Sequence, residues 1–247
     1  MTGKPVAVVT GGTRGIGRGI SLALARSGRA VFALFARDRN AAAALGAQAA
    51  EEGFCIECLR VDITDEDRVS ECVDTIVANA PRIAVLVHAA ASGVHRDVAS
   101  LTPKHLRWTF DVNVFAIHHL VRRLIPSMPP GGRIIGLTSQ GATRAEPHYA
   151  AIGASKGALD ALFRHYAQEL APKGIAVNLV RPGMVLTDAL EAFPDRDARL
   201  ERAVARTPTG RLTTPDEVGS LVVFLCSPAA AQIVGQTIII DGGRVLT

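Results

Sequence analysis

Along almost its whole length the chain alternates between short apolar runs and amphipathic stretches. This alternation constrains the fold more than any other feature. The apolar runs read as strands at 5–10, 30–36, 54–61, 83–88, 132–138, 175–180 and 236–240. They are nearly continuous, as expected when helices cover both faces of a sheet. Helical patterns fill the intervals at about 15–28, 39–52, 65–79, 103–127, 149–172 and 215–227. Asp65, Thr102 with Pro103, and Thr214 with Pro215 supply helix starts, while Gly28, Gly53 and Gly174 supply stops. Such an order specifies a doubly wound parallel sheet with right-handed crossovers. No linker, repeat or low-complexity segment interrupts it, and the alanine-rich stretch from Ala41 to Ala50 reads as an ordinary helix.

Composition narrows the function classes. Of 247 residues, 48% are hydrophobic and 20% charged, which excludes a disordered chain. The net charge of +4 suits an anionic ligand, but no dense Lys/Arg block marks nucleic-acid binding. The run from Pro5 to Thr10 is too short for a signal peptide and leads into glycines. No apolar run is long enough to span a bilayer, so a soluble cytoplasmic protein is expected. Cys55 and Cys58 form a CxxC on a strand, where positions three apart face opposite ways. No second CxxC or histidine pair completes a metal site, and Cys55, Cys58, Cys72 and Cys226 are read as plain thiols.

A glycine-rich turn follows the first strand: Thr10, Gly11, Gly12, Thr13, Arg14, Gly15, Ile16 and Gly17. Between a strand and a helix, such a turn brings backbone N–H groups close to a pyrophosphate, beside the positive end of the helix. The expected architecture is therefore α/β: a single doubly wound Rossmann domain over 1–247, with a seven-stranded parallel sheet and helices on both faces. The end of the second strand chooses the nucleotide, because an acid there bonds a free ribose hydroxyl and repels a 2′-phosphate. Here Ala36 and Arg37 stand at that point, with Arg14 in the loop, which favours NADPH. Asp38 is the competing signal for an unphosphorylated ribose. Asp62, beside Ile63, is placed to accept from the adenine amino group, to cap the following helix, or both.

The stretch from Leu137 to Lys156 carries the chemistry. Ser139, Tyr149 and Lys156 lie there, with the tyrosine and lysine seven residues apart on a helix that begins near Tyr149. Residues seven apart share a helix face. Tyr149 would then supply a proton or hydrogen bond to a substrate oxygen, with the Lys156 charge lowering the phenol's pKa.

Taken together, these residues resemble the short-chain dehydrogenase/reductase superfamily over nearly the full length. The likeness rests on the glycine loop at 10–17, Asp62, Asn113, Ser139, Tyr149, Lys156, Pro182 and Gly183 with Thr187, and Asp241-Gly242-Gly243. It implies that Thr187 and the backbone near Val185 hold the nicotinamide carboxamide and that Lys156 holds the nicotinamide ribose. It also places Ala89 and Ala90 beside the nicotinamide and implies a homotetramer, and the apolar stripes of the 103–127 and 149–172 helices are expected to pair across a two-fold axis. Asn113 would hold a water in a proton relay to Lys156; the alternative is a packed polar residue bonded to backbone. The chain departs from the usual pattern twice. Ile152 stands where the Tyr-x3-Lys spacing of ketoreductases has its tyrosine, leaving Tyr-x6-Lys as in the enoyl-acyl-carrier-protein reductase branch. His88, Ala89, Ala90 and Ala91, followed by Ser92 and Gly93, replace Asn-Asn-Ala-Gly.

A physical reason favours the longer spacing for an enoyl thioester. Hydride arrives at C3 while charge collects on the thioester oxygen two carbons away, so the proton donor must sit farther out. Three more helical residues add roughly 4.5 Å. The expected reaction is NADPH-dependent reduction of a C2–C3 double bond in an enoyl thioester on acyl carrier protein or coenzyme A. A 3-ketoacyl or other carbonyl reductase is the alternative, and a non-catalytic nucleotide-binding scaffold the third reading. Residues at about 188–210 form the expected substrate lid, with Leu190, Phe193, Leu200 and Val204 facing an acyl chain and Ser92 also at the substrate; ordinary packing is the alternative. Arg196, Arg199, Arg202 and Arg206 recur at helical spacing, as a contact for an acidic carrier or as a solvated face. His118, His119 and His148 are read as structural or surface groups, and His95 and Trp108 carry no clear signal.

Overall fold

The computed structural model describes residues 3–80, 82–187 and 196–246. Seven parallel strands form one sheet in the order β3-β2-β1-β4-β5-β6-β7. They are β1 Val6–Thr10, β2 Ala30–Phe35, β3 Ile56–Arg60, β4 Ile83–His88, β5 Arg133–Leu137, β6 Ala176–Pro182 and β7 Thr237–Ile240. The helices are α1 Gly15–Arg26, α2 Arg39–Glu51, α3 Glu66–Asn79, α4 Pro103–Phe110, α5 Ala116–Leu124, α6 Ala150–Leu170, α7 Arg196–Ala205 and α8 Pro215–Leu225. Each strand expected from the sequence is present, within two residues at either end.

The apolar runs are continuous because successive residues face different helix layers. Val6 and Val8 of β1 pack with Val73 of α3, Ile117 and Leu120 of α5, and Leu159 and Phe163 of α6. Ala7 and Val9 pack with Ile20 and Leu24 of α1 and with Val218 and Val222 of α8 on the other face. Leu45 of α2 joins that second side against Leu22 and Ala33. Burying each large aliphatic or aromatic side chain contributes about 1.5–3 kcal/mol, so both layers clamp the central strands.

Capping fixes where the helices begin. The Asp65 carboxylate accepts from Arg68 N at 3.0 Å. Thr102 and Thr214 open reciprocal capping boxes with His105 and Glu217, each with proline at the first helical position. The stretch read as one helix over 103–127 is not continuous. A π-helical segment, Asp111–Phe115, separates α4 from α5, and a 3₁₀ turn at Ile125–Ser127 follows. The segment carries Asn113, whose amide is bonded on both sides, which holds a locally widened helix in place.

The switch in strand order falls between β1 and β4, and their C-terminal ends open onto one crevice. Among the described residues no helix is long and apolar enough to cross a membrane.

Candidate active site

The glycine loop closes over the ends of β1, β2 and β4. Gly12 N donates to Leu34 O of β2 at 3.1 Å, and Ala89 N after β4 donates to Thr10 O at 3.2 Å. Gly11 has φ +63°, and a β-carbon there would lie 2.9 Å from Ala90 N. At Gly17 a β-carbon would overlap the Gly11 carbonyl oxygen. Only glycine lets the turn fold this tightly at the N-terminus of α1. Thr187 stands opposite, its Cγ2 3.3 Å from the β-carbon position of Gly15. The cradle, with α1 aimed into it, fits a dinucleotide pyrophosphate.

Thr13 is buried in this loop, whereas Arg14 is exposed and Ile16 half-buried. Arg37 is exposed just past β2. Asp38 caps α2, its carboxylate accepting from Ala41 N at 2.9 Å. One carboxylate oxygen of Asp38 thus serves the helix as its N-cap. Asp62 Oδ1 accepts from Thr64 N at 3.1 Å and Thr64 Oγ1 at 2.8 Å, while Asp65 caps α3, so Asp62 is a turn residue rather than the cap. Ile63 is buried behind it. Gly183 N donates to Ile240 O at 2.9 Å, setting Pro182–Gly183 against β7, and Val185 bridges to Thr213.

Around the reactive centre, Ser139 lies just past β5, at the start of a 3₁₀ turn, and Tyr149 occupies the N-cap position of α6. The Tyr149 hydroxyl donates to Ser139 Oγ at 3.4 Å. Three features fix the phenol. Its ring lies on Gly141, where any β-carbon would overlap it. His148, just before it, holds φ +60°, the one positive value among described non-glycine residues. The His148 carbonyl accepts from Arg96 N at 3.0 Å, and this brings the His95 ring to 5.4 Å from the tyrosine ring. His95 is thus a site residue that its loop position concealed.

Lys156 is 4% exposed and its Nζ donates to Leu137 O at 2.8 Å. Burial pushes its pKa down to about 8, opposed by the Asp160 carboxylate. The phenol of Tyr149 is pushed up by burial, pulled back by the Ser139 hydrogen bond and raised again by Glu146. The Lys156 ammonium is bonded at the end of β5, and Ser139 is the neighbour that favours the phenolate. Asp160 pairs with Arg181 at 3.2 Å, and Arg181 Nη1 donates to Thr143 Oγ1 at 3.1 Å.

Asn113 Nδ2 donates to Ser92 O and to Ser155 Oγ, both at 2.9 Å, and its Oδ1 accepts from Ser92 N at 3.0 Å. The side chain therefore ties the loop after β4 to α6, as a packed polar residue would. His88, fully buried, shares a 2.9 Å hydrogen bond between Nδ1 and Thr10 Oγ1, which also accepts from Ala90 N at 3.1 Å. Its Nε2 is turned toward the Asn113 backbone without a well-aligned hydrogen bond. Leu190 and Phe193 lie outside the described residues. Leu200 and Val204 are half-buried on α7.

Residues 11–244 match the family described as enoyl-(acyl carrier protein) reductase. The chain belongs to the short-chain dehydrogenase/reductase superfamily. Among its relatives is a 1-cyclohexenylcarbonyl-CoA reductase of Streptomyces collinus, 31% identical over 97% of this chain and 86% of that protein. Another is a 3-oxoacyl-[acyl-carrier-protein] reductase of Synechocystis, 34% identical over 98% and 97% of the two chains. A solved variant of actinorhodin polyketide ketoreductase with NADPH superposes with a TM-score of 0.89, at 27% identity over 98% of this chain and 97% of that one. The protein is an oxidoreductase of a nicotinamide-dependent superfamily, and its named relatives include a reductase of 1-cyclohexenylcarbonyl-CoA and one of 3-oxoacyl-[acyl-carrier-protein].

Proposed function

We propose that the protein reduces the C2–C3 double bond of an enoyl thioester, carried on acyl carrier protein or coenzyme A, at the expense of NADPH. The observation that carries this reading is the pairing of Tyr149 with Ile152. Ile152, at the position of a ketoreductase tyrosine, is an 8% exposed aliphatic side chain packed onto Gly93. The chain has only two tyrosines. Tyr166 is bonded to His118 at 2.5 Å, so Tyr149 is the phenol at the site.

NADPH, when bound, supplies the hydride. The protein's own groups handle the developing charge. The Tyr149 hydroxyl donates to the thioester oxygen as it becomes enolate-like, an interaction stronger in the transition state than in the ground state. Ser139 holds that hydroxyl in place. Lys156, charged below about pH 8, keeps a positive potential at the nicotinamide ribose and the end of β5. Arg14 and Arg37 support the preference for a 2′-phosphate, and Asp38, engaged in capping, offers little to an unphosphorylated ribose. We extend the proposal to a homotetramer, supported by the exposed rings of Phe115 and Trp108 on the α4–α5 side.

The second reading, a carbonyl reductase, draws its support from the 3-oxoacyl-reducing relatives at comparable identity. A steady-state comparison of crotonyl and acetoacetyl thioesters with NADPH separates the two. Turnover of crotonyl thioester is expected, and turnover of the keto substrate alone would reject the enoyl reading.

A further inference from the structure

Arg60 lies outside every motif of the sequence, at the C-terminal end of β3. It is the register partner of Phe35 on β2, and its Nε donates to Ala36 O at 3.1 Å. That bond ties the guanidinium to the backbone where β2 ends, the point at which a dinucleotide's adenosine ribose is read. The glycine loop crosses the same strand end through the Gly12 N to Leu34 O bond, which brings Arg14's loop alongside. Arg37 follows Ala36 directly. The terminal nitrogens of Arg60 make no hydrogen bond or ion pair among the described residues.

Resting on the NADPH reading, we propose that Arg60 is the anchored member of a three-arginine subsite, with Arg14 and Arg37, for the 2′-phosphate. A guanidinium held through Nε presents its two terminal nitrogens as a fork that matches phosphate geometry. Fixing the side chain beforehand lowers the ordering cost that a free surface arginine meets on binding. Arg14 and Arg37 supply charge; Arg60 supplies charge at a set position.

The test is calorimetric titration of the full-length protein with 2′,5′-ADP and with 5′-AMP, for wild type, Arg60→Gln and Arg60→Lys. Wild type should prefer 2′,5′-ADP. Arg60→Gln should lose about tenfold toward 2′,5′-ADP with 5′-AMP affinity unchanged. Arg60→Lys, which cannot bond Ala36 in the same way, should recover only part. A wild type without preference overturns the NADPH reading and this subsite together. A preference that survives intact in Arg60→Gln overturns the Arg60 assignment alone. Equal losses toward both ligands, or a lowered thermal midpoint, would make Arg60 a brace for the end of β2 and likewise overturn it.

Discussion

Ile152 fills the space directly over Gly93, so that any β-carbon on residue 93 would overlap its Cγ1. The two positions form one fitted contact between the loop after β4 and the first turn of α6. Gly93→Ala should destabilise the fold by about 1–3 kcal/mol through overpacking. Combining it with Ile152→Ala should recover part of that loss, giving a coupling energy on the order of 1 kcal/mol in denaturant unfolding. Strict additivity of the two changes would show that the contact carries no energy.

Removing the phenol's hydroxyl tests its chemical role separately from its packing. Tyr149→Phe keeps the ring on Gly141 and beside His95. Turnover should fall by about 10²- to 10⁴-fold, the usual weight of a positioned proton donor. Dinucleotide affinity, read by fluorescence titration, should stay near that of the parent. Retained turnover would assign the proton to another group.

Lys156 sets an alkaline limb. With its pKa pushed from 10.5 to about 8, the native protein has shed a proton between these values that the unfolded chain still holds. Stability from this group therefore rises with pH across that window and is least below pH 8, where the buried charge must be carried. Activity runs oppositely: turnover should decline above about pH 8 as the ammonium is lost. Asp160 holds that pKa up, so Asp160→Asn should move the limb to lower pH in a pH–rate profile. An unmoved limb would detach Asp160 from Lys156.

His88 acts on the acid side. Burial, with the Lys156 charge adding to it, pushes its pKa from 6.5 to about 3. Between these values the unfolded chain binds a proton that the native state refuses. Its contribution to stability is whole above pH 6.5 and is lost as pH falls toward 3. His88→Asn should flatten the decline in thermal midpoint between pH 7 and pH 4; a decline as steep as the parent's would place the acid sensitivity elsewhere.

The sheet was legible because period and punctuation agree: most of the apolar runs are set off by a helix cap such as Asp65 or by a turn glycine such as Gly28, Gly53 or Gly174. The cofactor end was legible for the same reason, its glycines forced by contacts as tight as that between Gly17 and Gly11. What stayed hidden depends on contacts between distant segments. His95 reaches Tyr149 only because Arg96 bonds the His148 carbonyl. Arg60 reaches Ala36 only through strand register. The orientation of Lys156 toward Leu137 could not be read from its spacing to Tyr149, because a long flexible side chain can point either way along its helix.

One π turn takes up a residue more than the α-helix on either side of it. Deleting a single position within Asp111–Phe115 would let α4 and α5 merge into one regular rod with little change of phase, because the π turn spends its extra residue without adding rotation. Ile117, Leu120 and Leu124 would then keep the sheet face they now fill. In this stretch a one-residue deletion is a milder lesion for the core than the same cut in an uninterrupted helix, where it would turn everything beyond it by about 100°; what it removes is the widened turn from which Asn113 reaches Ser92 and Ser155.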